Sequence, residues 1–121
     1  MKLKITREIE ITDADIEDIM ASALEDGVDY WCKYVTRPDN PSANADYFSD
    51  ELTKGTGELT FSVGKKSYKL TKENFLTGLA KYLENPRYEC FYEDGIDPGN
   101  IDATCADMIV QYALFGELVY G

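Results

Sequence analysis

Residues 8 to 29 carry nine carboxylates (Glu8, Glu10, Asp13, Asp15, Glu17, Asp18, Glu25, Asp26 and Asp29) and no Lys or Arg. Within them, Asp15, Asp18, Ser22 and Glu25 follow a 3-4-3 spacing. On a helix that spacing lines one face. At about 1.5 Å rise per residue, Asp18 and Glu25 stand roughly 10 Å apart along the axis, the scale of neighbouring phosphate spacings. Such a row can meet a basic protein surface, or imitate the phosphates of a nucleic acid. The candidate partner-binding residues are therefore Asp15, Asp18 and Glu25, flanked by Glu17 and Asp26. A solvated helix face in an acidic protein uses the same residues and is the plainer explanation.

One stretch inverts the charge. Between Lys54 and Lys72 there are five lysines (Lys54, Lys65, Lys66, Lys69, Lys72) against a single carboxylate, Glu58. Lys65, Ser67 and Lys69 alternate onto one side of an expected strand. Lys72 falls in the first turn of the helix expected next, where an anion such as a phosphate can be received. The alternative ligand site is thus Lys65, Lys69 and Lys72, with Tyr68 or Trp31 stacking on a base. Protection of a strand edge explains the same lysines more simply. Tyr30, Trp31 and Tyr34 cluster beside Lys33. Exposed, they could stack a base or anchor a partner; as core they need no ligand, and core is the stronger reading.

Other chemistries find little support. The 121-residue chain has formal charge -11 and no histidine. Acidity of this degree repels phosphate backbones, so direct nucleic-acid binding is not expected. The commonest general base and metal ligand is missing. DGIDPGNIDATC places Gly99 and Ile101 as a calcium loop would if Asp94 were its first position. Ile96, Pro98 and Cys105 then stand where oxygen ligands are required. No phosphate-loop, dinucleotide, zinc-protease or nucleophile-elbow motif is present. The 23 Asp and Glu residues offer many pairs, and nothing marks one as catalytic. The expectation is a non-enzymatic protein without cofactor or metal.

Cys32, Cys90 and Cys105 are odd in number and widely spaced, with no C-x-x-C. They read as reduced thiols of a cytoplasmic protein, at least partly buried. The segment MKLKITREIEIT lacks the apolar core of a secretory leader. No apolar run approaches the length of a membrane span. The length suits one domain over residues 1–121, with a modest core that a homo-oligomer would enlarge.

The candidate residues must be positioned by elements that the pattern predicts. Leu3, Ile5, Ile9 and Ile11 share one side of a period-two segment, which predicts a half-buried strand. Thr12 then caps a helix, with Asp13 and Asp15 in its first turn and Ile11 and Ile16 as a hydrophobic staple. Ile16, Ile19, Met20, Ala23 and Leu24 form its apolar stripe. Gly27 ends it as a left-handed cap. Residues 28–35, VDYWCKYV, read as a strand, or as a short helix after a glycine break. TRPDNPSANAD is a loop and YFSDELTK a short helix. GELTFSVGKKSYKLT is a β-hairpin turning near Gly64 and Lys65. Thr71 caps a second helix faced by Phe75, Leu76, Leu79, Tyr82 and Leu83. Gly78 either weakens that helix by about 1 kcal/mol relative to Ala or permits a close approach. Asp102 caps a last helix to about Gly116. That helix is apolar on more than one side and so central or at an interface. ELVYG reads as a short strand. The order predicts an α+β fold: a small, mostly antiparallel sheet of three to five strands with about three helices packed on it.

Two end blocks, ITDADIEDIMASALEDGVDYWCKY and ADMIVQYALFGELVYG, make up about a third of the chain. They resemble small acidic proteins encoded by phages, prophages and mobile elements of clostridial and related gut bacteria. The resemblance carries no catalytic residue over to this chain. What it implies is setting: small acidic phage accessory proteins often inhibit host nucleases and defence systems, some by DNA mimicry. The leading expectation is an accessory protein that binds a host protein through its acidic face. A sponge for a nucleotide signal, or a structural phage component without a ligand, are the alternatives.

Overall fold

The structure is a computed structural model that describes residues 1, 3, 8–39, 45–92 and 94–121. Helix α1 spans Asp13–Ser22. Thr12 is its N-cap: the Thr12 hydroxyl accepts from Asp15 N at 3.1 Å, and Asp15 Oδ2 accepts from Thr12 N at 3.0 Å. This reciprocal pair satisfies two backbone donors that a helix start otherwise leaves open. Ile16, Ile19 and Met20 are buried.

The chain does not leave α1 through a left-handed glycine. It passes into a π turn, Ala23–Gly27, closed by the Val28 N–H donating to Ala23 O at 3.0 Å. Gly27 is needed for a different reason. A Cβ there would lie 2.9 Å from Ala103 O, on the segment that opens the last helix. The close approach of two backbones, not a positive φ, selects glycine.

Residues 28–35 are neither one strand nor a helix. The chain turns through Tyr30 and Trp31, and only Tyr34–Thr36 form a strand, β1. In the predicted loop that follows, residues 40–44 lie outside the described residues. The short helix expected next is a single 3₁₀ turn, Phe48–Asp50. Strands β2 (Glu58–Val63) and β3 (Lys66–Thr71) make the predicted hairpin, with Gly64 at φ +62° in its turn. The sheet order is β1-β2-β3, antiparallel throughout. Leu59↔Leu70 and Phe61↔Tyr68 are paired on the core side, and Thr60↔Lys69 and Ser62↔Ser67 on the other.

Thr71 repeats the capping box with Asn74 and starts α2, Lys72–Leu83. Short strands β4 (Phe91–Tyr92) and β5 (Gly95–Ile96) form a separate antiparallel pair. Asp102 caps α3, Ala103–Phe115, by accepting from Cys105 N at 2.9 Å. Gly116 closes α3 in the left-handed region at φ +75°.

α3 is the central element. Cys105, Ala106, Ile109 and Val110 are all fully buried, among α1, α2 and the sheet. α2 and α3 touch at Gly78, where a Cβ would come within 2.6 Å of both Ile109 O and Ala113 N. The fold is α+β: the described residues form three α-helices, a three-stranded antiparallel sheet and a two-stranded pair. No helix among the described residues is long and apolar enough to cross a membrane.

Two terminal expectations change. Of the predicted first strand, Lys2 and residues 4–7 lie outside the described residues. Residues 8–12 form no strand; the Glu10 N–H donates to Asp94 O at 2.6 Å. The tail 117–121 is not a strand either, because it has a side chain rather than a neighbouring strand to bond to.

Candidate functional site

The predicted acidic face divides into spent and free carboxylates. Asp15 is half-buried and engaged in the Thr12 cap. Glu17 is half-buried and accepts from the Thr53 hydroxyl at 2.6 Å and from Lys54 Nζ at 3.1 Å. The Thr53 hydrogen bond, aided by Lys54 against the opposing effect of burial, holds the Glu17 carboxyl below its usual range. Glu17 thus clamps α1 to the chain after the 3₁₀ turn. Asp18, Glu25 and Asp26 are exposed, and none accepts a hydrogen bond or ion pair from a described residue. The seven-residue step from Asp18 to Glu25 runs into the π turn, which takes an extra residue per hydrogen-bonded turn. Glu25 and Asp26 are therefore carried off the straight line that an uninterrupted α-helix predicts. Asp26 lines a pocket with Thr104 at the start of α3.

The alternative lysine site is not assembled as one pocket. Lys69 pairs with Glu58 at 3.6 Å, and Lys72 pairs with Asp13 at 3.0 Å. Lys65 is exposed in the hairpin turn. Side chains alternate along a strand, so Lys69 and Tyr68 stand on opposite faces of β3. Tyr68 faces the core and meets Phe115 edge-on at 4.9 Å. Trp31 is buried, and Tyr120 covers it with parallel rings 5.4 Å apart. Neither aromatic is free beside the lysines to stack on a base. β3 is an edge strand, where lysines deter pairing with another sheet.

The structure gathers a different constellation, around Asp107 on α3. Asp107 is only 5% exposed. Its Oδ2 accepts from the Tyr30 hydroxyl at 2.6 Å. Its Oδ1 accepts from Trp31 Nε1 at 2.6 Å and from Gln111 Nε2 at 2.9 Å. All three donors are neutral. Burial first, and then the Asp107 hydrogen bond, push the Tyr30 hydroxyl up to about 12. It stays a donor at any physiological pH.

Gln111, also fully buried, extends the network to the tail. Its Oε1 accepts from Val119 N at 2.8 Å and Tyr120 N at 2.9 Å, and its Nε2 donates to Tyr120 O at 3.1 Å. One amide therefore stands in for a strand partner, and it brings Tyr120 down onto Trp31. The turn after the π segment supplies Tyr30 and Trp31, α3 supplies Asp107 and Gln111, and the tail closes the arrangement.

Beside this network lies a pocket of about 560 Å³, whose walls include Asp26, Tyr30, Thr104, Asp107, Met108 and Tyr120. Sequence reasoning passed over Asp107 and Gln111, and of the Tyr30, Trp31 and Tyr34 cluster that it read as core only Trp31 is buried, while Tyr30 and Tyr34 are exposed. A signal was present: Asp107 and Gln111 are polar residues four apart on an otherwise apolar helix, a spacing that stacks two side chains on one face.

The described residues contain no group of three or more His, Cys, Asp or Glu able to hold a metal ion. Cys32, Cys90 and Cys105 are free and buried, and burial pushes all three thiols up. Thiols held protonated in this way are poor nucleophiles. The acidic surface and the Asp107 pocket both present carboxylates. A scan against protein-family models, a search of curated proteins and a search of solved structures each find no match to the chain.

Proposed function

We propose that the chain is a non-enzymatic accessory protein that binds a host protein with a basic surface. The observation that supports this is the division of its carboxylates. Asp13, Asp15, Glu17, Glu51 and Glu58 are spent on internal partners, while Asp18, Glu25 and Asp26 are exposed and unengaged on one stretch. Unpaired carboxylates of one sign steer a basic partner during encounter. The two end blocks favour a phage or mobile-element origin and a role as an inhibitor of host defence or a nuclease. The setting would be the bacterial cytoplasm, where buried thiols stay reduced. The sponge reading gains nothing from lysines already paired with carboxylates.

The reading is tested by reversing Asp18, Glu25 and Asp26 together to Lys. Association with the host partner is expected to slow by about an order of magnitude or more at low salt, and the wild-type rate to fall as salt rises. Unchanged association by the triple variant sinks the reading.

A further inference from the structure

A carboxylate taken out of water is ordinarily paired with a cation or neutralised. Asp107 has no cationic partner among the described residues: its donors are a phenol, an indole and an amide. A carboxylate oxygen offers two acceptor positions. Oδ1 uses both, for Trp31 and Gln111; Oδ2 uses one, for Tyr30. One acceptor position on a buried negative charge is left, and Asp107 lines the pocket. Asp26, a second carboxylate, is exposed on the same wall. Tyr30 and Tyr120 add aromatic surface and Met108 an apolar one.

We propose that this pocket is the receptor for an arginine side chain of the basic partner, its guanidinium set against Asp107 and Asp26. The assignment rests on the acidic-face reading and deepens it, because Asp26 belongs both to that face and to the pocket. Three properties favour a guanidinium over an ammonium. Its fork of donors can serve two carboxylates at once. It sheds water more readily. It also lies flat on aromatic rings. The aliphatic stem finds Met108 and the tyrosine rings. A single desolvated arginine of this kind is the usual hot spot of a protein interface.

Trp31 is the only tryptophan in the chain, and its indole N–H donates directly to Asp107. Its indole ¹⁵N–¹H resonance therefore reports on the pocket. The full chain, ¹⁵N-labelled, is titrated with N-acetyl-arginine amide, with the uncharged N-acetyl-citrulline amide, and with spermidine as a source of ammonium. The arginine amide is expected to shift the indole peak saturably and the citrulline amide to leave it in place. Asp107→Asn is expected to weaken arginine binding about tenfold or more. Thr104→Tyr, at an exposed position on the pocket wall, sets a bulky ring in the pocket and should abolish the shift even if Asp107→Asn fails to fold.

A flat arginine titration, an equal response to citrulline or spermidine, or a shift that survives Thr104→Tyr overturns the assignment. The double variant Asp18→Lys, Glu25→Lys separates the two readings. If that variant loses the partner while the arginine titration is flat, the face stands and the pocket falls. If it keeps the partner while the titration saturates, the pocket stands and the face falls.

Discussion

Gln111 joins α3 to the tail through two backbone N–H donors and one backbone oxygen, and it also donates to Asp107. Replacing it with Leu keeps the volume and removes every one of these bonds. The expected cost is roughly 2–3 kcal/mol, because a buried carboxylate loses a donor and the tail loses its anchor. Tyr120 should then lift from Trp31, and the tryptophan emission should move to longer wavelength. An unshifted spectrum contradicts the anchoring role. Tyr30 gives a second prediction. Its hydroxyl ionises near 12 in the folded chain and near 10 when unfolded. Between those values the unfolded state has lost the proton and the folded state has not. The contribution is whole below about pH 10 and is lost as pH rises toward 12. Tyr30→Phe should shallow that alkaline decline in denaturant titrations.

At the scale of elements, both threonine caps were readable because a cap is a local bond. Thr12 and Thr71 each precede a helix by one residue and accept from the third N–H of it. Thr12→Ala should cost about 1 kcal/mol in urea unfolding. Gly78 behaves against its helix propensity. An Ala there gains about 1 kcal/mol of intrinsic preference, but its Cβ would fall 2.6 Å from backbone atoms of α3. Backbone cannot step aside as a side chain can. Gly78→Ala is expected to destabilise by a net ~1–3 kcal/mol, and a gain in urea midpoint would contradict the packing. Gly27 has the same logic against Ala103 O, which is why it reads as a cap in sequence and proves to be a contact in space. The π turn was not legible, since its five-residue bond answers to Gly27 reaching α3 rather than to any local pattern.

The whole molecule combines acidity with carboxylates that it needs ionised. Asp102 is held low by the Cys105 backbone N–H, and Glu17 chiefly by Thr53. Burial raises Glu51, but the Thr56 N–H and hydroxyl together with Arg37 outweigh it and leave the group low. Depressed folded values mean that the unfolded state takes up protons first. Their stabilisation is whole above about pH 5 and is lost as pH falls through the folded values. Protonating the exposed acids acts the other way by relieving repulsion, but only down to the isoelectric pH of about 4.3, and salt screens that term. In high salt, where net-charge effects are screened, Tm should therefore still fall as pH drops from about 5 to 3. A Tm that stays level over that range in high salt would mean that these carboxylate bonds contribute little.

The α+β class, the three helices, the hairpin with its turn and both threonine caps could be read from the chain, because each rests on periodicity or on bonds three or four residues long. The apolar residues on several sides of α3 gave a choice between a central helix and an interface, and the fold shows it central. The candidate site could be read only in outline. Carboxylates such as Asp18 and Glu17 look alike in sequence, and distant neighbours such as Thr53 and Lys54 separate the free from the engaged. The Asp107 network spans contacts 76 and 77 residues apart, and no local pattern encodes a bond of that reach. Folding brings the turn at Tyr30, the middle of α3 and the tail to one place, and there a lone aspartate becomes a buried charge with an acceptor position to fill.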